Sequence, residues 1–198
     1  MGVLALLVCQ AFDLGTSPAE ELPGISDLYW TPPHAAEERI SAEVFAVWTR
    51  FDTGLRIDDA WGYGGDIKVG LDWGTAASVG MRLGYAGWDT DNDTQQTFPG
   101  RTRIRQYRIG AGGDFSTRHI DFGIYANVGL YHFHTIHVEN DTSPFFEIEG
   151  SLGFKPVPFV KIGVVGMVTW TSSDFNRAST HLFTNHSIGP SVEVRFDF

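Results

Sequence analysis

The sequence predicts an all-β fold: an eight-stranded antiparallel up-and-down transmembrane β-barrel preceded by a short N-terminal segment. Three observations carry this expectation. The chain ends in mid-strand on an aromatic residue, hydrophobicity alternates with a period of two through eight stretches, and the connections are alternately long and short. At the C-terminus Phe198, Phe196, Val194 and Val192 share one face, and Asp197, Arg195, Glu193 and Ser191 share the other. Such alternation marks a half-buried strand, whereas an ordinary soluble domain usually ends in a frayed polar tail.

Length and composition agree with one β-domain. The 198 residues hold no apolar run of the roughly 18 to 20 residues that a spanning helix needs. Glycine is abundant, at 23 residues, and aromatics make up 14% of the chain, a pairing that favours tightly packed strands. A formal net charge of -10 argues against nucleic acid as a partner.

Residues 1–11 read as a fragment of an export signal, truncated at its start. Val3 to Val8 form a short apolar core, and Cys9-Gln10-Ala11 resembles a cleavage site, although a basic start is missing. Cys9 is the only cysteine and falls in this segment, so disulfides are not expected. Residues 12–39 contain Pro18, Pro23, Pro32 and Pro33 with no sustained period, and read as a periplasmic linker. The barrel is expected over residues 40–198.

The eight stretches follow in order. The first, about Ile40 to Asp52, sets Phe45, Val47 and Phe51 against Ala46, Trp48 and Arg50, and its facing is ambiguous. The second sets Ile67, Val69, Leu71 and Trp73 against Asp66, Lys68, Gly70 and Asp72. After a turn at Gly74 to Ala77, the third sets Val79, Met81, Leu83 and Tyr85 against Gly80, Arg82 and Gly84. The fourth sets Tyr107, Ile109, Ala111 and Phe115 against Arg108, Gly110, Gly112 and Asp114, and Ser116-Thr117-Arg118 turns the chain.

In the fifth, Ile120, Phe122, Ile124, Ala126, Val128 and Leu130 oppose Asp121, Gly123, Tyr125, Asn127 and Gly129. In the sixth, Phe146, Ile148, Leu152 and Phe154 oppose Glu147, Glu149, Ser151 and Gly153, before a turn at Lys155 to Pro158. The seventh carries Val160, Ile162, Val164, Val168 and Trp170 against Lys161, Gly163 and Thr169, and the eighth starts near Asn185. Long polar connections (53–60, 89–100, 137–143, 172–184) alternate with tight turns, the asymmetry of a membrane barrel with loops on one side and turns on the other. An even strand count puts both ends of the barrel on the turn side.

Alternation does not by itself separate a membrane barrel from a soluble lipocalin-like one. The glycines of the polar face do. A solvated face gains nothing from Gly70, Gly80, Gly84, Gly110, Gly112, Gly123, Gly129, Gly153, Gly163 and Gly189, but a narrow lumen needs small residues beside long charged ones. The polar face is therefore expected to point inward. Lys68, Asp72, Arg82, Arg108, Asp114, Asp121, Glu147, Glu149, Lys161, Glu193 and Arg195 then form a lumen charge network in which both signs pair. A Lys or Arg on the outer face would cost about 2 to 4 kcal/mol at the bilayer midplane. Aromatics near the strand ends, among them Trp61, Tyr63, Trp73, Tyr85, Trp88, Tyr107, Phe115, Trp170, Phe196 and Phe198, are expected in interfacial girdles.

On these features, residues 40–198 resemble the small eight-stranded bacterial outer-membrane barrels of the OmpA/OmpX-like superfamily. The carrying residues are the alternating strands and the terminal Val192-x-Val194-x-Phe196-x-Phe198. The resemblance implies outer-membrane lipid and lipopolysaccharide as surroundings, and the barrel-assembly machinery as the partner reading Val192, Val194, Phe196 and Phe198. It ends with the eighth strand, so no peptidoglycan-binding domain is expected.

Some barrels of this class modify lipid A, which makes His132, His134, His137, His181, His186 and Ser187 the candidates for chemistry. His186 and Ser187 are adjacent and so face opposite ways, and the His-x-Ser-Asn pattern of the lipid A deacylases is missing. His132 and His134 share a face without a clear third ligand, and Asp89-Thr90-Asp91-Asn92-Asp93 lacks the Gly and distant Glu of a calcium loop. No catalytic residue, metal or cofactor is expected. The expected function is a scaffold with a filled polar lumen that displays four surface loops for envelope integrity, adhesion or partner binding. The alternatives are a small hydrophobic-ligand transport barrel and a lipid A-modifying enzyme, with a soluble lipocalin-like binder as the fallback.

Overall fold

A computed structural model describes residues 37–52, 57–72, 77–91, 101–117, 119–135, 141–173 and 181–197. Its eight strands are β1 (Glu37–Asp52), β2 (Ala60–Asp72), β3 (Ala77–Asp91), β4 (Arg101–Ser116), β5 (Ile120–Thr135), β6 (Asp141–Val157), β7 (Val160–Ser173) and β8 (His181–Asp197). Each pairs antiparallel with its sequence neighbour, and β1 pairs with β8 to close the barrel. Connections after β1, β3, β5 and β7 take 53–59, 92–100, 136–140 and 174–180, while those after β2, β4 and β6 take only 73–76, 117–119 and 158–159.

The strands reach further than the alternation alone predicts. β1 starts at Glu37, so Arg39, expected in the linker, belongs to the barrel. β3 continues to Asp91, extending the sheet into the expected long connection, and β4 begins at Arg101, directly after it. Lys155 and Pro156, expected in a turn, lie within β6 at a register shift between Phe154 and Val157. Proline has no N–H for the ladder, and a bulge is where a strand tolerates that loss. The turn itself is Pro158-Phe159.

The burial pattern is inverted relative to a soluble barrel. Leu83, Ile67, Phe115 and Leu152 are more than half exposed on the outer surface, whereas Arg82, Arg108, Glu147 and Glu149 are 2% exposed or less inside. Outward aromatics form two tiers. Trp48, Trp61, Tyr63, Tyr85, Tyr107 and Phe146 lie toward the long connections, and Phe115, Phe122, Phe154 and Phe196 toward the short ones. Tyr107 and Phe115 are eight residues apart on β4, about 27 Å of strand. At a tilt of about 40° that is about 21 Å along the barrel axis, close to the 25 Å apolar band of a membrane barrel. Trp88, expected in a girdle, points into the lumen and is buried, because Ala86 and Thr90 at its alternate positions are also inward. Trp73 and Phe198 lie outside the described residues.

Glycine is required where inward backbones and side chains meet. A Cβ on Gly84 would strike the Asp66 carboxylate and the Arg108 guanidinium, and one on Gly112 would strike the β5 backbone at Ile124 and Tyr125. A different constraint acts on the closing seam. Pairing of β1 with β8 runs from Arg39↔Asp197 to Phe45↔Ser191 and resumes at Trp48↔Ile188. The two missing pairs, Ala46 with Pro190 and Val47 with Gly189, are those that would use an N–H on residue 190, which proline lacks. The Ala46 carbonyl instead comes so close to Gly189 that a Cβ there would collide with it.

Gly189→Val is therefore expected to disrupt closure, at a cost of about 1 to 3 kcal/mol. Urea titration of the refolded variant would show a lower midpoint, and a midpoint equal to that of the parent would refute the close approach.

Candidate functional site

The lumen is the site that the strands build most deliberately, and it has two layers. Toward the short connections it is charged. Arg39, Lys68, Arg82, Arg108, Lys155, Lys161 and Arg195 meet Glu43, Asp66, Asp72, Asp114, Asp121, Glu147, Glu149 and Glu193, so seven cations face eight carboxylates among the described residues. The near balance matters because an unpaired buried charge costs several kcal/mol.

Arg108 occupies the centre of this layer. Its Nε and Nη2 donate to the two oxygens of Asp66 at 3.0 and 2.7 Å, and its Nη1 donates to Glu147 Oε1 at 2.8 Å. Arg82 grips Glu149 with Nη1 and Nη2, and its Nη2 also lies 3.4 Å from Asp66. Planar, two-pronged pairing of this kind is what arginine offers over lysine. Lys68 bridges Glu43 at 2.8 Å and Glu193 at 3.0 Å, the first an ion pair outside hydrogen-bond alignment. The Tyr125 ring lies between Lys68 and Arg82, with each cation about 5 Å from its centroid.

Nearer the mouth on the short-connection side, Arg39 Nη2 reaches Asp114 at 3.1 Å and Glu193 at 3.0 Å, and Nη1 reaches Asp72 at 3.3 Å. Asp121 gathers Arg195 at 3.2 Å, Lys161 at 3.6 Å and Lys155 at 3.9 Å, and accepts from Ser116 Oγ at 2.7 Å. Glu43, Asp66 and Glu149 place carboxylate oxygens within 4.8 Å of one another, a spacing that suits a cation. Lys68, Arg82 and Arg108 already supply positive charge there.

Toward the long connections the lumen is apolar and aromatic. Phe45, Val47, Phe51, Ala86, Trp88, Ile104, Tyr131, Phe133, Phe145, Val165 and Met167 form one buried cluster. Tyr131 sits against Trp88, Phe133 and Phe145 with ring centroids 6.3, 5.6 and 4.9 Å away. Trp88 Nε1 donates to Thr49 Oγ1 at 2.8 Å, and Thr49 Oγ1 lies 2.7 Å from Ser187 Oγ. Between the layers, Glu147 accepts from Gln106, Asn127 and Thr169 at 2.7 to 2.9 Å.

Each of the eleven residues expected in the lumen network lies on the inward face with an opposite charge within 4.0 Å. The expected network left out Arg39, Glu43, Asp66 and Lys155, although alternation had placed Asp66 on the polar face of the second stretch. The signal for the first two was Arg39-x-Ser41-x-Glu43, which turns into Phe45-x-Val47 on the same face. That change of character within one face made β1 ambiguous. The charges of the lumen are correspondingly confined to one half of the barrel, while the other half adds buried Thr49, Thr171, Asn185 and Ser187 to its apolar cluster.

Among the described histidines, those of β5 and β8 are not brought together with Ser187. His132 and His134 point outward on β5, and His186 points outward on β8 while Ser187 points inward. His137 lies outside the described residues, as do Asn92 and Asp93 of the acidic stretch, whereas Asp89 to Asp91 belong to β3. Val192 and Phe196 are exposed outside and Val194 half-buried, all on the outward face of β8.

No family model matches the chain, and no curated protein matches it either. Solved structures do. Neisserial surface protein A (NspA) aligns over 82% of this chain and 100% of its own, at 15% identity and a TM-score of 0.53. Ail of Yersinia pestis aligns over 81% and 99% at 15% identity and a TM-score of 0.47. The N-terminal β-barrel domain of Pseudomonas aeruginosa OprF aligns over 79% and 97% at 16% identity and a TM-score of 0.44. The chain has the fold of the small eight-stranded outer-membrane barrels.

Arg108→Met would leave Asp66 and Glu147 without their main counter-charge, and is expected to destabilise the barrel by about 3 to 5 kcal/mol. The double variant Arg108→Met with Glu147→Leu should recover part of that loss. Equilibrium urea unfolding checks both, and a double variant no better than the single would contradict this pairing.

Proposed function

We propose that this protein is a filled outer-membrane scaffold, with both ends of the barrel on the periplasmic side and the four long connections at the cell surface. The single observation that carries the reading is the inversion of burial: an apolar outer band between two aromatic tiers, around an interior of paired charges. Water would solvate neither arrangement well, whereas hydrocarbon stabilises the first and side-chain pairing the second. Closure removes every free sheet edge, as lipid demands.

The filled lumen favours display over passage. Eight strands leave room only for side chains, and here an aromatic layer is stacked on a charged one. Work at the surface connections, in adhesion, envelope integrity or partner binding, fits a rigid plugged barrel better than conduction does. The outward facing of His132, His134 and His186, with Ser187 turned inward, favours the same non-enzymatic reading. Val192, Val194 and Phe196 on the lipid side of β8, with Phe198 beyond them, suit recognition by assembly machinery before β8 meets β1.

In cells, the protein is expected in the detergent-extracted membrane fraction and should migrate faster on gels unheated than boiled. Recovery in the soluble fraction would refute the membrane reading. In planar bilayers the folded protein should give no discrete conductance steps, and steady unitary currents would overturn the plugged-scaffold reading while leaving the barrel intact.

A further inference from the structure

Among the described residues, the outward faces of the strands hold few charges, with one concentration. On β4, Arg101, Arg103 and Arg105 occupy successive outward positions, all exposed. On β5, His132 and His134 face the same way, in direct register with them: Arg105 opposite His132 and Arg103 opposite His134. A cleft of about 220 Å³ is lined by these last four side chains.

Arg103 and Arg105 follow one another on one outward face with imidazoles beside them, and adjacent guanidinium groups on one face suit an anion. The described residues supply little. Asp89 serves both Arg101 at 3.2 Å and Arg103 at 3.4 Å, and Arg105 has no ion pair among the described residues. His132 Nδ1 lies 3.0 Å from Thr142 Oγ1, which contributes no charge. A cationic cluster on a chain of net charge -10 is not a general feature of its surface.

Height along the barrel selects the anion. Arg105 lies two residues beyond Tyr107 of the aromatic tier, about 7 Å of strand and about 5 Å along the axis. If the aromatic tier marks the edge of the hydrocarbon, the cluster stands at the level of lipid headgroups, where arginine binds phosphate with two prongs. We propose that Arg103, Arg105, His132 and His134 form an external site for the phosphate of a phosphorylated glycolipid in the surface leaflet. The site rests on the membrane reading above and deepens it: the barrel then carries a fixed lipid on its β4–β5 face.

The test uses the full refolded chain in neutral detergent micelles, with bis-phosphorylated lipid A as probe and native mass spectrometry to count bound lipid. The parent should bind one lipid A, and dephosphorylated lipid A should bind at least tenfold more weakly. Arg103→Gln/Arg105→Gln should lose binding to a similar degree, while Arg50→Gln, an outward arginine on β1, should not. Undiminished binding by the double variant, or by dephosphorylated lipid A, would overturn the site. Inorganic phosphate competing at equal concentration would overturn the lipid as the source. Unheated gel migration, run in parallel, separates these outcomes from failure of the barrel itself: a variant that folds but does not bind speaks only to the site.

Discussion

The width of an eight-stranded barrel governs the rest of this structure. Eight strands close the sheet and satisfy the backbone without an edge, but they leave an interior only as wide as the side chains that fill it. Every inward position is thereby forced into a close-packed column with its neighbours on other strands. Long charged side chains fit only where glycines face them, as Gly84 does beside Asp66 and Arg108. Once two opposite charges are confined there, pairing is the low-energy outcome, because separation would leave each one buried alone.

The column is not uniform, and its division has a physical logic. Near the short connections the inward faces of all eight strands offer acids and bases that interlock, with Arg108 joining β2 to β6 and Arg82 joining β3 to β6. Toward the long connections the same faces turn to Phe45, Trp88, Ile104 and Tyr131. Charge pairing gives directional fit, while aromatic packing excludes water from the pairs below it and so strengthens them. One layer orients and the other seals.

Much of this was legible in the sequence, because alternation with a period of two survives any tilt or twist of the strand. The strand count, the long-short rhythm and the inward polar face all follow from that period, and the glycines chose the facing. What alternation hides is any place where both faces share a character. Along Phe45 to Phe51 the inward residues are as apolar as the outward Trp48, so the facing of β1 had no contrast to declare itself. Trp88 misled for the same reason: a tryptophan near a strand end suits an interface and a plug equally well. Arg39 was hidden by its acidic neighbours Glu37 and Glu38, whose charge made the start of β1 look like linker. The outward arginines of β4 gave no warning because their partners on β5 are fixed only by register.

Pro190 lends the closing seam a different kind of information. Seven of the eight strand junctions are joined by a continuous piece of chain, so the length of each connection limits which residues can meet. The junction of β1 with β8 joins the two ends of the barrel, and no connection restrains it. A strand slipped by two residues would keep every side chain on its proper face, so hydrophobicity alone would not detect the error. It would, however, move the missing rung away from Ala46 and bring a residue with a Cβ into the narrow place that only Gly189 fills. The gap and the glycine beside it together act as a notch and key: they mark the one alignment in which the first and last strands lie flush.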